Sequence, residues 1–206
     1  MLDLRAALKQ CRIAAILRGV TPDEIDGIGD ALVEAGVTII EVPLNSPRPF
    51  ESIRRLAARH GEHALVGAGT VLEANDVARV KDAGGRLMVA PNFDPDVVRA
   101  AKAAGLATLP GVMTPSEGFA ALKAGADGLK LFPAEIIPPS VFKAWRAVFP
   151  ADTLLLAVGG VGVDNIATYR DAGASGFGIG SALYTPGRPA ADIRPLARTL
   201  VAAAKA

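Results

Sequence analysis

Two charged residues lie inside stretches that otherwise read as buried strands. Lys130 interrupts Gly128-Leu129-Lys130-Leu131-Phe132-Pro133, an apolar run stopped by proline, and Glu41 follows Thr38-Ile39-Ile40 and precedes Val42. Burial disfavours the charged form of a lysine, lowers its pKa and frees the amine as a nucleophile. A carboxylate in an apolar strand is either paired or functional. Lysine with an acid at hand suits Schiff-base chemistry on a carbonyl substrate. The amine adds to a ketone, the acid shuttles protons, and the protonated imine draws in the electrons of a breaking C–C bond. Two plainer readings stand beside this one. Lys130 could snorkel to water from a strand end, or it could form an ion pair with Glu41, costly to bury and a weak source of stability. The remaining lysines, Lys9, Lys81, Lys102, Lys123, Lys143 and Lys205, fall on polar helix faces or termini.

The elements that would carry these residues alternate regularly. Near-continuous apolar runs at Ile13–Val20, Thr38–Leu44, Ala64–Val71, Leu87–Asn92, Ala107–Val112, Gly128–Ala134, Leu154–Val161 and Gly176–Leu183 have the pattern of parallel strands covered on both faces. Between them the spacing predicts helices over Pro22–Ala35, Pro47–Arg59, Glu73–Ala83, Pro95–Ala104, Pro115–Ala124, Pro139–Val148, Val163–Ala172 and Ala190–Ala204, with a leader helix at Leu4–Gln10. Thr21-Pro22, Ser46-Pro47, Asp94-Pro95 and Thr114-Pro115 read as helix starts, and Thr114 with Glu117 as a capping box. Ala-Gly pairs at 35–36, 83–84, 104–105, 124–125 and 172–173 read as helix ends. Eight such units close into an α/β (β/α)8 TIM barrel filling residues 1–206 as a single domain, with an open doubly wound sheet as the other solution.

In a barrel of this kind chemistry belongs at the C-terminal ends of the strands. Strand 1 ends in Arg18-Gly19, where the guanidinium would clamp a carboxylate bidentately or cap the rim with a salt bridge. Strand 3 ends in Gly67-Ala68-Gly69-Thr70 and strand 4 in Pro91-Asn92. Gly159-Gly160 and Gly180-Ser181 close the last two strands, the usual place for a phosphate held by backbone N–H groups; alternatively they are only tight turns. His60 and His63 are spaced like a metal pair but fall in a loop at the opposite end, where no third ligand joins them. They read as surface polar residues, and neither metal nor cofactor is expected.

Composition narrows the classes. The 206 residues carry a formal net charge of +1 and no basic block, which argues against nucleic acid. No apolar run is long enough for a bilayer, and the first residues lack a signal-peptide layout. Cys11, the single cysteine, cannot form an intrachain disulfide and fits a reducing cytoplasm. It lies at the end of the leader helix, away from the strand ends.

Taken together, Ile16-Leu17-Arg18-Gly19, Glu41-Val42-Pro43-Leu44-Asn45-Ser46, Val66-Gly67-Ala68-Gly69-Thr70-Val71, Lys130-Leu131-Phe132-Pro133-Ala134 and Ala157-Val158-Gly159-Gly160-Val161 resemble the class I aldolases of 2-keto-3-deoxy-6-phospho sugar acids, the KDPG/KHG aldolase family. The resemblance runs from about Ile13 to Tyr184. It implies a lyase that splits its substrate into pyruvate and glyceraldehyde 3-phosphate, with Lys130 forming the Schiff base and Glu41 as acid/base. Arg18 and Thr70 would contact the pyruvyl end, with Pro91 lining that pocket, and Gly159, Gly160, Gly180 and Ser181 would hold the phosphate. A homotrimer is implied as well. Within the family, Pro43-Leu44-Asn45-Ser46 and Val158 look like the branch acting on the 6-phosphogalactonate epimer. The phosphogluconate branch typically has arginine in place of Asn45 and threonine in place of Val158. Two rival readings of the same barrel remain: a phosphosugar isomerase or epimerase with Glu41 as base, and a silent phosphosugar-binding protein.

Overall fold

The computed structural model describes residues 2–205. The leader helix α1 (Leu4–Gln10) is followed by β1 (Ile13–Ile16), α2 (Ile25–Glu34), β2 (Ile39–Pro43), α3 (Pro49–His60), β3 (Leu65–Gly69), α4 (Ala74–Asp82), β4 (Leu87–Val89) and α5 (Pro95–Ala103). Then come β5 (Ala107–Leu109), β6 (Gly111–Val112), α6 (Pro115–Lys123), β7 (Gly128–Leu131), α7 (Pro139–Val148), β8 (Leu154–Val158), α8 (Ile166–Asp171), β9 (Gly176–Ile179) and α9 (Ala190–Lys205). All strand pairs are parallel, in the order β5-β4-β3-β2-β1-β9-β8-β7-β6. The two ends of that order are one strand cut in two. Pro110 has no N–H to give the ladder, so β5 pairs with β4 and β6 with β7 on either side of it. The Pro110 carbonyl still accepts from the Lys130 N–H at 2.9 Å and helps to close the cylinder. The barrel reading of the sequence is the observed one; the open sheet is not.

The pleat divides the apolar runs into two cores. Ile40, Val42, Leu129 and Leu131 point outward into the layer between strands and helices. Ala14, Ile39, Leu65, Leu87, Leu109 and Leu156 point inward, and α1 plugs the lower mouth with Leu4, Ala7 and Leu8. Side chains alternate along a strand. Since Ile39 and the backbone of Gly128 are on the inward side, Glu41 and Lys130 are too.

Several element ends differ from the sequence reading. The strands stop earlier, because the residues after Ile16, Val158 and Ile179 turn away into loops. Thr21-Pro22 does not start a helix: α2 begins at Ile25, and the Thr21 hydroxyl donates to Glu24 Oε2 at 2.6 Å. Ser46-Pro47 does not either. Helix α3 starts at Pro49, and Ser46 Oγ accepts from the Gly19 N–H at 2.9 Å, joining the first two strand-end loops. Asp94 and Thr114 do cap α5 and α6, Thr114 in a full capping box with Glu117. The glycines at 36, 84, 105, 125 and 173 all have the left-handed φ expected of helix ends. Among the described residues no helix is long and apolar enough to cross a membrane.

Candidate active site

Lys130 and Glu41 meet inside the upper half of the barrel. Both line a small apolar hollow floored by Ala14, Leu109 and Leu156, with Val158 beside them. Glu41 is 2% exposed and Lys130 6%. Among the described residues no ion pair forms between them, and Glu41 Oε2 has no hydrogen-bond partner. Lys130 Nζ instead lies 4.8 Å from the centre of the Phe132 ring. Burial pushes the Glu41 carboxyl up to about 7, the nearby Lys130 and Arg18 offsetting part of the effect. Burial also holds the Lys130 amine below its ordinary range; Glu41 opposes this and Arg18 adds to it. The snorkelling lysine and the close ion pair are therefore both absent from the described structure.

Gly69 shows how tightly the carboxyl is lodged. A Cβ there would collide with the Glu41 carboxylate, so the end of β3 must be bare backbone for Glu41 to point inward.

Above the hollow opens a cavity of about 560 Å³. Lys130 and Val158 belong to both spaces, and Arg18, Gly159, Gly160, Gly180 and Ser181 line the upper one. Gly159 and Gly160 have φ of 98° and 65°, which only glycine adopts without strain. Among the described residues the N–H groups of Gly160, Val161 and Ser181 have no hydrogen-bond partner. They are available to an anion. Asn165 holds this loop from behind: its Nδ2 donates to the Gly160 carbonyl at 2.8 Å and its Oδ1 accepts from the Gly162 N–H at 2.9 Å. The helical spacing from Val163 predicts Asn165 inside a helix. Helix α8 in fact begins at Ile166, because residues 162–165 form the turn that braces the glycines.

Among the described residues Arg18 forms no salt bridge, so the rim-capping reading is not the observed one. Its Nη1 donates to Asn45 Oδ1 at 2.7 Å and its Nη2 to Thr70 Oγ1 at 3.4 Å, both neutral, so its charge is uncompensated at the rim. Thr70 itself is held at φ 54°, a costly conformation for a threonine. Thr70 and Pro91 do not line the 560 Å³ cavity. Thr70 reaches it only through Arg18. Pro91 sits at the upper end of β4, its carbonyl packed so closely on Gly111 that a Cβ there would not fit.

Two residues that sequence reasoning did not select belong to the site: Asn165 braces the glycine loop and Glu135 lines the cavity. Asn45, singled out at the end of strand 2 and for substrate preference, also orients Arg18. Asn165 was hidden by helical spacing and Glu135 by lying in a loop with no pattern of its own.

His60 corrects the opposite kind of error. It is not a surface residue: it ends α3, is 7% exposed, and its Nε2 lies 3.0 Å from Asp30 Oδ1 on α2, packed against Gly29. His63 is exposed. Among the described residues no cluster of three or more possible metal ligands occurs. Cys11 is buried at the C-cap of α1, and burial raises its thiol pKa.

Residues 4–201 match the family model of the KDPG and KHG aldolases. The chain belongs to this family. The relatives of this aldolase include a probable 2-dehydro-3-deoxy-6-phosphogalactonate aldolase of Rhizobium meliloti (strain 1021), 50% identical over 93% of this chain and 90% of the relative. A 2-dehydro-3-deoxy-6-phosphogalactonate aldolase of Escherichia coli (strain K12) is 44% identical over 85% of this chain and 86% of the relative. Among solved structures, one described as a native KDPGal structure superposes with a TM-score of 0.92 at 41% identity, covering 94% of each chain. Family membership decides for the lyase over the isomerase and the silent binding protein.

Proposed function

We propose that this aldolase cleaves 2-dehydro-3-deoxy-6-phosphogalactonate to pyruvate and glyceraldehyde 3-phosphate through a Schiff base on Lys130. The observation that carries the mechanism is the dry, unpaired placement of Lys130 and Glu41 beneath a cavity that ends in free backbone N–H groups. The neutral Nζ adds to the C2 ketone, and the carbinolamine loses water as Glu41 supplies a proton. In its ionised form Glu41 then takes the proton of the C4 hydroxyl. The C3–C4 electrons move into the protonated imine, and the aldehyde leaves. The resulting enamine takes a proton at C3, and water releases pyruvate from Lys130. A carboxyl poised near 7 can both give and take a proton at neutral pH.

Arg18 takes the substrate carboxylate, with Asn45 and Thr70 holding the guanidinium; Pro91, which lines neither space, is assigned to the pyruvyl end by the family resemblance alone. Gly159, Gly160, Gly180 and Ser181 take the phosphate, which anchors the far end and lends binding energy to orientation at C2. Neither metal nor cofactor has a step in this sequence. Val158 and Asn45 support the galacto epimer: valine offers bulk where a threonine would offer a hydroxyl to the other epimer. The phosphogluconate and 4-hydroxy-2-oxoglutarate substrates are the alternative. The lone buried Cys11 supports a reducing, cytoplasmic setting. Exposed Phe119 and Met113 offer apolar surface for a homotrimer.

Borohydride reduction in the presence of pyruvate should leave one covalent adduct, mapping to Lys130. No adduct at saturating pyruvate rejects the mechanism. Pyruvate release measured on both epimers tests the substrate, and a clear preference for the gluco epimer overturns the assignment to galactonate.

A further inference from the structure

Glu135 has no part in the steps above, yet it lines the same cavity as Lys130 and Gly160. It follows the Schiff-base strand by four residues, across the cis bond between Phe132 and Pro133 and at the first turn of a 3-10 helix, Ala134–Ile136. Its side chain lies over Gly160: a Cβ at that position would run into Glu135 Cγ, with Oε1 2.9 Å away. Among the described residues Glu135 makes no ion pair and no side-chain hydrogen bond, and it is the single carboxylate lining this cavity. Glu41 is confined to the hollow below. A carboxylate cannot balance the charge of a phosphate, so its place beside an anion cradle calls for a different partner.

A carboxylate is an acceptor only, and its natural partner in a polyhydroxylated substrate is a hydroxyl group. Position narrows which one. The reacting ketone is fixed at Lys130 and the phosphate at the Gly160 and Ser181 N–H groups, so a group lying over Gly160 meets the substrate next to its phosphate. We propose that Glu135 accepts a hydrogen bond from the hydroxyl adjacent to the phosphorylated carbon, making it a specificity-determining residue for the aldehyde half of the substrate. This rests on the aldolase reading above and names what that reading leaves open, the group that recognises the glyceraldehyde moiety. A hydrogen bond to a charged acceptor is strong enough to discriminate markedly against a partner that lacks the donor.

The reverse reaction provides the test. Pyruvate is offered with either glyceraldehyde 3-phosphate or 3-oxopropyl phosphate, which lacks the hydroxyl. The wild-type enzyme should prefer the hydroxylated acceptor by about 10-fold to 100-fold in kcat/KM. In Glu135→Ala the preference should collapse to within about 3-fold, through loss on glyceraldehyde 3-phosphate alone. Glu135→Gln, whose amide oxygen still accepts, should keep part of it. Borohydride trapping of pyruvate on Lys130 should be equal in all three proteins, which also reports that the variants are folded. An unchanged preference in Glu135→Ala overturns the inference. So does an equal improvement on both acceptors, which would mean that the carboxylate only repels phosphate. Failure of pyruvate trapping in the wild type would instead overturn the Schiff-base reading itself.

Discussion

The two mouths of the barrel handle polar groups in opposite ways. At the lower mouth three charged side chains are saturated. Arg86 donates to the carbonyls of Leu2, Gly61 and Ala64. Arg146 donates to the carbonyls of Gly173 and Thr153 and to Ser175 Oγ at 2.7–2.8 Å. Asp127 accepts from Lys102 and from the backbone and hydroxyl of Thr108. At the upper mouth the same kinds of group are left open: a buried amine and a buried carboxyl without a close partner, an arginine bound only to neutral oxygens, and a glycine loop with free N–H groups. Unpaired buried charge costs stability. The lower mouth holds the cylinder and its plug together, so the upper one can keep groups unsatisfied until substrate arrives.

Four substitutions probe that contrast. The largest effect is expected for Lys130→Ala. Cleavage should fall by at least about 10⁴-fold and the borohydride adduct should vanish, while the melting temperature holds or rises, because a poorly solvated amine is removed. A variant retaining wild-type-like rates would show that the upper mouth is not the reacting end. Next is Glu41→Gln, for which kcat should drop about 10²-fold to 10³-fold. It also carries a pH signature. Burial raises the folded carboxyl from its ordinary value of 4.5 to about 7, so the folded state holds the extra proton between those values. The contribution of Glu41 to stability is therefore greatest below pH 4.5 and is lost as the pH rises to about 7. Denaturant titrations across that window should show the decline in wild type and a flatter curve in Glu41→Gln.

Arg146→Ala tests the other mouth. It leaves two carbonyls and a serine without their donor and should cost about 2–4 kcal/mol in unfolding free energy, with kcat of the folded enzyme unchanged. A loss of kcat with no loss of stability would erase the distinction between the two ends. The smallest effect is expected for Val158→Thr. It should shift the galacto-to-gluco ratio of kcat/KM by about 1–3 kcal/mol without affecting pyruvate trapping. No shift would remove Val158 from the list of residues that read the sugar.

The buried pair, Lys130 and Glu41, was readable because both members break a local rule: a charge in a run of apolar residues has a short list of explanations. The glycines were readable for a similar reason, since Gly159 and Gly160 interrupt a strand end where only a loop can follow. Asn165 and Glu135 break no rule. Asparagine in an amphipathic stretch and glutamate in a proline-bounded loop are both ordinary, and each comes to face Gly160 only in the folded barrel. His60 reads as a surface residue because loop and helix end look alike in Arg59-His60-Gly61, whereas its burial comes from packing against Gly29 on another helix, with Asp30 beside it.

Alternation of apolar runs and amphipathic stretches, with Ala-Gly stops, already dictates eight βα units and the identity of the two anomalous charges, since period, propensity and capping are local properties. Which side of each strand faces the axis, the cut at Pro110, the lodging of Glu41 against Gly69 and the absence of a close Glu41–Lys130 pair are settled only when the sheet closes. Distances across a cylinder depend on stagger and on the fit of non-neighbouring side chains, and neither is written in the spacing of residues along one strand.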